Sequence, residues 1–273
     1  MNDIVNIASW LKKSALLFPY KRAVVYPGSR DRKNRVLYSQ LTFRQLEHAS
    51  DSLAFGLLKA GITRGTRTIL MVPPGMEFFS LVFAMFKIGA VPIVVDPGMG
   101  IDRMLSCFSQ GRPSAFIGIE KAHVLRVFRP KFFKTVKTWI TVGKKWFWNG
   151  YTLDELYQKT NGPFELADTA ADETAAVLFT TGSTGPAKGV VYTHGNFNAQ
   201  LVQIQNHFDI QPDEIDLPTF PLFALFDPAL GMTAVIPDMD PTKPAHVNPL
   251  RIIEAIENHG VTNMFASPAL LNR

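Results

Sequence analysis

Cysteine is almost absent: Cys107 is the only one in 273 residues. That excludes an internal disulfide and any cysteine-based structural zinc site. The residue follows Met104-Leu105-Ser106 in a short apolar stretch, which predicts a buried, inert thiol rather than a nucleophile. Unbroken apolar runs are missing as well. The longest, 78–95, is interrupted by Lys87, Gly89 and Pro92, so it reads as a buried helix and a strand, not a membrane span. Met1-Asn2-Asp3 places an acid where a secretory leader would carry positive charge, and a cytoplasmic protein is the expectation. His194, His207, His246 and His259 lack ligand spacing, so no metal site built by the chain itself is expected. Internal repeats and low-complexity tracts are also lacking.

Acids are missing from one long window. Between Lys121 and Lys145 stand Lys121, Arg126, Arg129, Lys131, Lys134, Lys137, Lys144 and Lys145, with no Asp or Glu among them. The whole chain carries only +5, so the remaining residues are net negative and the basicity is local. Phe128, Phe132, Phe133 and Trp139 are interleaved, and Trp146-Phe147-Trp148 follows. Such a composition suits peripheral contact of 121–148 with an anionic membrane or a partner protein; nucleic acid is not expected. The alternative is a solvated face over ordinary core aromatics.

What is present is 47% hydrophobic residues, enough for a sizeable core, patterned as alternating helices and strands. The spacing predicts a helix over 5–17, a short strand at 23–26 ending at Pro27-Gly28, a charged hairpin loop over 29–35, and a partner strand at 36–38. Thr42-Phe43-Arg44-Gln45 matches a capping box, Leu46, Ala49, Leu53, Leu57 and Ala60 recur at helical spacing, and Gly61 closes that helix. Strands at 66–72, 91–95 and 114–119 alternate with helices at 76–88 and 101–108. The class is α/β, with layered, mainly parallel sheets flanked by helices. An acidic linker, with a subdomain break expected near 165–174, leads to an apolar strand at 175–179.

Directly after that strand comes Thr180-Thr181-Gly182-Ser183-Thr184-Gly185-Pro186-Ala187-Lys188-Gly189, followed by Val190-Val191-Tyr192. Four hydroxyls, three glycines and one lysine fall within ten residues. Glycines let backbone N–H groups approach anionic oxygens, hydroxyls donate further bonds, and the lysine adds a point charge, a set suited to a phosphate chain. It is not a Walker A loop, because Ala187 and Gly189 flank Lys188 where that motif needs Gly-Lys-Ser/Thr. The plain alternative is a Gly-Ser-Thr hairpin turn with an incidental lysine.

The stretch Leu178–Val190, with Thr193-His194-Gly195-Asn196 downstream, closely resembles the AMP-binding signature of the adenylate-forming superfamily. That group includes acyl-CoA synthetases, fatty acyl-AMP ligases, peptide-synthetase adenylation domains and luciferases. The upstream Leu41-Thr42-Phe43 and Lys87-Ile88-Gly89-Ala90-Val91-Pro92 fit the same layout, so the resemblance covers essentially residues 1–273. It implies the N-terminal portion of the superfamily's large domain. Family members are roughly twice this length, and the family's second nucleotide motif, ribose-binding aspartate and small C-terminal domain with its catalytic lysine are not expected within residues 1–273. On that reading the stretch alone is expected to be inactive.

The resemblance further implies that a substrate carboxylate attacks the α-phosphorus of ATP, bound with Mg2+, to give an acyl-adenylate and pyrophosphate. Thr180, Thr181, Gly182, Ser183, Thr184, Gly185 and Lys188 would hold the nucleotide, with Lys188 and Thr184 in catalytic roles. Phe220-Pro221-Leu222-Phe223-Ala224-Leu225-Phe226 falls where many relatives carry an aromatic-histidine pair near the acyl pocket; Ala224 occupies the histidine position. Phe223, Ala224 and Phe226 are therefore candidate acyl contacts, and a buried apolar strand and turn is the alternative. This run most resembles the branch that makes β-lactones from long-chain 2-alkyl-3-hydroxy acids, without CoA. An acyl-CoA synthetase, or a non-catalytic nucleotide- or acyl-binding module, are the other readings.

Overall fold

The structure, a computed structural model, describes residues 5–159, 162–180, 188–220 and 223–272. In chain order α1 (Ala8–Leu17) is followed by the hairpin β1 (Arg22–Arg30) and β2 (Val36–Thr42), then α2 (Phe43–Lys59). The alternation β3 (Arg67–Met71), α3 (Met76–Lys87), β4 (Val91–Val95), α4 (Ile101–Gly111), β5 (Ala115–Ile119), α5 (Glu120–Phe128) and β6 (Thr138–Val142) comes next. After β7 (Tyr151–Thr152) and α6 (Leu153–Leu156), a second hairpin, β8 (Thr174–Thr180) and β9 (Lys188–Thr193), leads into α7 (His194–Phe208). The last elements are β10 (Ile215–Asp216), α8 (Phe226–Leu230), β11 (Thr233–Val235), α9 (Pro249–His259) and α10 (Pro268–Leu271).

The chain divides into two compact units. The first comprises residues 1–8, 48–73 and 80–198, so the acidic stretch 165–174 lies inside it. Its seven-stranded sheet has the order β7-β6-β5-β3-β4-β8-β9, parallel throughout except for the antiparallel pair β8–β9. Parallel strands need crossover helices; α4 shows why one forms here. Met104, Leu105, Cys107 and Phe108 line its buried face and join Ile69, Ile93, Phe116, Val177 and Phe179 in one core cluster. Cys107 is fully buried, and burial pushes its thiol pKa up, as an inert thiol requires. Lys87, which interrupts the apolar run in the sequence, is also fully buried and pairs with Asp51 of α2 at 2.5 Å.

The second unit comprises residues 9–47, 74–79 and 199–273 and holds a four-stranded sheet of order β10-β11-β1-β2. Val25, Leu217, Val235, Ile252 and Ala255 form its core. Its capping box at Thr42 is reciprocal: the Gln45 amide N–H donates to Thr42 Oγ1 at 3.2 Å and the Thr42 N–H to Gln45 Oε1 at 2.8 Å. Asn248 and Pro249 open α9, and Gly260, in the left-handed region, closes it. Here one expectation fails: β1 does not stop at Pro27-Gly28 but runs to Arg30, paired with β2. Proline is tolerated because β11 reaches only Val24 and Val25, which leaves the missing N–H of Pro27 on an unpaired side.

Candidate functional site

Strand β8 places the signature stretch. It lies between β4, in the parallel register Val95 to Phe179, and β9, in the antiparallel register Thr180 to Lys188. In open α/β sheets ligands bind outside the carboxyl ends of the parallel strands, and β8 ends there at Thr180. Lys188 opens β9 and faces solvent. Thr181, Gly182, Ser183, Thr184 and Gly185 lie outside the described residues, so backbone placement at Thr180 and Lys188 is what the structure adds. Gly189 is required by packing: a Cβ there would lie 2.9 Å from the Phe179 ring across the hairpin.

A neighbouring turn completes this edge. The Asp96 N–H donates to the Phe179 carbonyl at 3.4 Å, and the Asp96 carboxylate accepts the Gly98 N–H at 2.8 Å. Gly100, with φ of 86°, then starts α4. The run Asp96-Pro97-Gly98-Met99-Gly100 is a turn signal legible in the sequence. Its place beside the signature strand is not, because it depends on the pairing of β4 with β8.

The residues after β9 divide their labour. Thr193 and Asn196 exchange side-chain-to-backbone hydrogen bonds of 3.0 Å each and so fix the start of α7. A Cβ on Gly195 would approach the Ala171 carbonyl oxygen to 2.7 Å. His194 is fully buried and its Nδ1 accepts the Ile7 N–H at 3.3 Å. Burial lowers its pKa to about 4, so at neutral pH it is an uncharged anchor rather than a cation for phosphate.

The acyl candidates sit in the second unit. Phe223 is partly exposed and stacks on Phe265 at 4.1 Å, with Phe220 and Phe226 rings at 5.7 and 6.1 Å. Ala224 is fully buried. The expected apolar turn is a single 3-10 turn, Phe223–Leu225, running into α8. Phe265 was not singled out by sequence, since it stands 39 residues after Phe226 in a stretch without strong periodicity. Behind the cluster Asp227, in the first turn of α8, is buried beside Asp216 of β10. Among the described residues no three His, Cys, Asp or Glu side chains gather as a metal site would require.

The basic stretch separates into two sets. Phe133 and Trp148 are buried and Phe132 and Trp139 partly so, whereas Phe128, Trp146 and Phe147 are exposed along with most of the cations. His123, buried under Trp148, has its pKa lowered to about 4 by desolvation.

Residues 11–273 match the AMP-binding enzyme family. The chain belongs to that family. Among curated relatives, this AMP-binding enzyme is 46% identical to the olefin beta-lactone synthetase of Xanthomonas campestris, over 99% of the chain and 49% of the relative. The olefin beta-lactone synthetase of Stenotrophomonas maltophilia is also 46% identical, over 99% of the chain and 50% of that protein. The chain thus spans about half the length of the curated relatives it matches. A solved long-chain-fatty-acid CoA ligase from Archaeoglobus fulgidus shares the fold with a TM-score of 0.81 at 18% identity, over all of this chain and 53% of that one.

Proposed function

We propose that this AMP-binding enzyme contributes the nucleotide-phosphate site of a cytoplasmic ATP-dependent ligase that activates a carboxylic acid, a long-chain or hydroxy fatty acid, as its acyl-adenylate. The observation that carries this reading is the signature hairpin, opening between Thr180 and Lys188 at the carboxyl edge of a parallel sheet. The residue types suit a nucleoside triphosphate: hydroxyls, glycines and a lysine follow one another in the sequence, and the described ends of the hairpin, Thr180 and the exposed Lys188, lie where open α/β sheets take ligands. Thr180, Thr181, Gly182, Ser183, Thr184 and Gly185 would wrap the terminal phosphates, and Lys188 would anchor that loop or meet the phosphates. Thr184 and Lys188 would stabilise charge on the phosphoryl oxygens as the carboxylate attacks the α-phosphorus and pyrophosphate leaves. Magnesium, arriving with the nucleotide and keeping most of its waters, would neutralise phosphate charge.

The leading product is a β-lactone from a 2-alkyl-3-hydroxy acid, in which the 3-hydroxyl attacks the adenylated carboxyl and expels AMP. Two relatives at 46% identity support it, and the Phe223, Phe226 and Phe265 cluster offers an apolar wall for an alkyl chain. A CoA thioester product is the second reading, favoured by 25% identity to the long-chain-fatty-acid–CoA ligase FadD13 of Mycobacterium tuberculosis. The 121–148 face is proposed to make a peripheral membrane or partner contact; no helix of the described residues is long and apolar enough to cross a membrane.

ATP–pyrophosphate exchange by the full-length gene product, with a panel of fatty, 3-hydroxy and 2-alkyl-3-hydroxy acids, tests the reading. Acid-dependent exchange supports adenylation, and product formation with and without CoA then separates thioester from lactone. A folded protein that shows no exchange with any acid would instead be a binding module.

A further inference from the structure

We propose that the face built by α5 and the 143–149 loop docks this enzyme on an anionic lipid surface, with Phe128, Trp146 and Phe147 entering the headgroup layer. This rests on the contact-face reading of 121–148 and narrows it to one occupant. The three rings are 76%, 59% and 75% exposed. They are not surplus core, since Phe133 and Trp148, from the same stretch, fill the interior. Singly exposed apolar residues need no explanation, but two adjacent large aromatics held outward on an anchored loop do.

The loop is anchored at successive turns of α5. The Lys144 N–H donates to Glu120 Oε1 at 2.8 Å, the Trp148 ring stacks on His123 with centroids 5.3 Å apart, and Arg126 donates to the Asn149 carbonyl at 3.1 Å. The Trp148 indole N–H is tied to Thr141 Oγ1 at 3.0 Å, and the Arg126 guanidinium covers the Trp139 ring at 4.0 Å. Held this way, Trp148 is buried, and Trp146 and Phe147, whose rings pack on it at 5.4 and 5.2 Å, stay exposed. The shelf lies by the β6–β7 edge of the seven-stranded sheet, at the opposite side from the β8–β9 hairpin.

Charge identifies the occupant. Lys121, Arg129, Lys131, Lys134, Lys137 and Lys144 are all exposed. Two of the bordering acids are engaged: Glu120 by the Lys144 backbone, and Glu155 by the Thr152 N–H and by Lys145 at 3.9 Å. Lysine is depleted in the cores of protein interfaces, whereas lysines flanking Trp and Phe are what an anionic bilayer surface attracts. With no spanning helix among the described residues, the contact would be peripheral.

The test is co-sedimentation of the full-length protein with vesicles of phosphatidylcholine alone or of phosphatidylcholine and phosphatidylglycerol in equal parts. Binding is expected to the anionic vesicles only and to weaken with salt. Reversing Lys131, Lys134 and Lys144 to Glu should lower partitioning on the order of 100-fold. Trp146→Ala with Phe147→Ala should lower it by about tenfold or more. All five side chains are exposed, so the lysine variant should keep its melting temperature; the aromatic pair also packs on Trp148, so that variant should melt slightly lower, and a single cooperative transition shows that each is folded. Equal binding to neutral vesicles, binding indifferent to both sets of substitutions, or no binding at all would overturn the proposal; the last would assign the face to a protein partner. Pyrophosphate exchange on the same samples keeps the readings apart. Exchange without vesicle binding removes only the docking proposal, and vesicle binding without exchange removes only adenylation.

Discussion

The carboxyl groups of Asp216 and Asp227 lie against each other in the interior of the second unit. Asp216 is 6% and Asp227 3% exposed, and Asp227 Oδ2 has no hydrogen-bond partner. Two carboxylates cannot both ionise at contact distance, so one proton is retained between them. Desolvation, opposed by the hydrogen bonds from Asp227 and from the Phe265 and Leu217 backbones, raises Asp216 to about 7, and Asp227 is pushed well up as well. The pair joins β10 to α8, which Phe226 opens.

Stability should therefore fall as pH rises. The folded state keeps a proton that the unfolded chain releases above about pH 4, so the loss accrues from there through about 7 and, because Asp227 is raised as well, continues above it. Asp227→Asn keeps the shape and donates to Asp216 without needing that proton. It should flatten this part of the profile and exceed the parent in stability by on the order of 1–3 kcal/mol above neutral pH. Denaturant unfolding across that range checks it; parallel pH profiles for the two proteins would refute proton sharing.

Lys87 and Asp51 make the opposite kind of buried pair, with unlike charges in contact at 2.5 Å. Asp51→Ala leaves a buried ammonium without its carboxylate and should cost about 3–5 kcal/mol. Replacing Lys87 by Met and Asp51 by Leu together should cost less than the single change, because no charge then stays buried. A double-mutant cycle by urea unfolding measures the difference. Additive costs would show that the pairing itself contributes little.

How much of this was legible in sequence varies with the range of the interaction. Local chemistry was readable: the Thr42–Gln45 box, the α4 apolar face and the alternation of strands and helices all follow from near neighbours. The signature gave the family because its order of residues is specific. Lys87 read as a break in an apolar run and as part of the family layout, but not as half of an ion pair, since its partner Asp51 lies 36 positions away. The same holds for Asp216 with Asp227 and for Phe223 with Phe265: each pair meets through sheet pairing or loop return, which periodicity does not encode. Strand β1 ran past Pro27 because the length of β11, set elsewhere in the chain, decides which backbone groups need partners.

The Phe223–Phe265 stack supplies a test of the acyl wall. If these rings line the chain of the acid, Phe265→Ala removes apolar contact from the substrate but none from the nucleotide. The KM for a long-chain acid should rise roughly tenfold to 100-fold, with the ATP dependence nearly unchanged. A short acid should be affected less, since it reaches fewer apolar contacts. An unchanged KM across chain lengths, in a folded variant, would return Phe223, Ala224 and Phe226 to a structural role.

Lys188 provides the sharpest test of the hairpin. It is exposed at the start of β9, opposite Thr180 in the register, so its removal leaves no cavity and should barely change stability. A loop lysine that meets charge developing on the phosphoryl oxygens contributes more to the transition state than to the bound nucleotide. Lys188→Ala in the full-length enzyme should therefore slow acid-dependent pyrophosphate exchange by about 100- to 1,000-fold while ATP binding weakens much less. Loss of ATP binding to the same extent as rate would make Lys188 a ground-state phosphate contact. Unchanged exchange would remove it from the chemistry and leave the lysine as an incidental member of a turn.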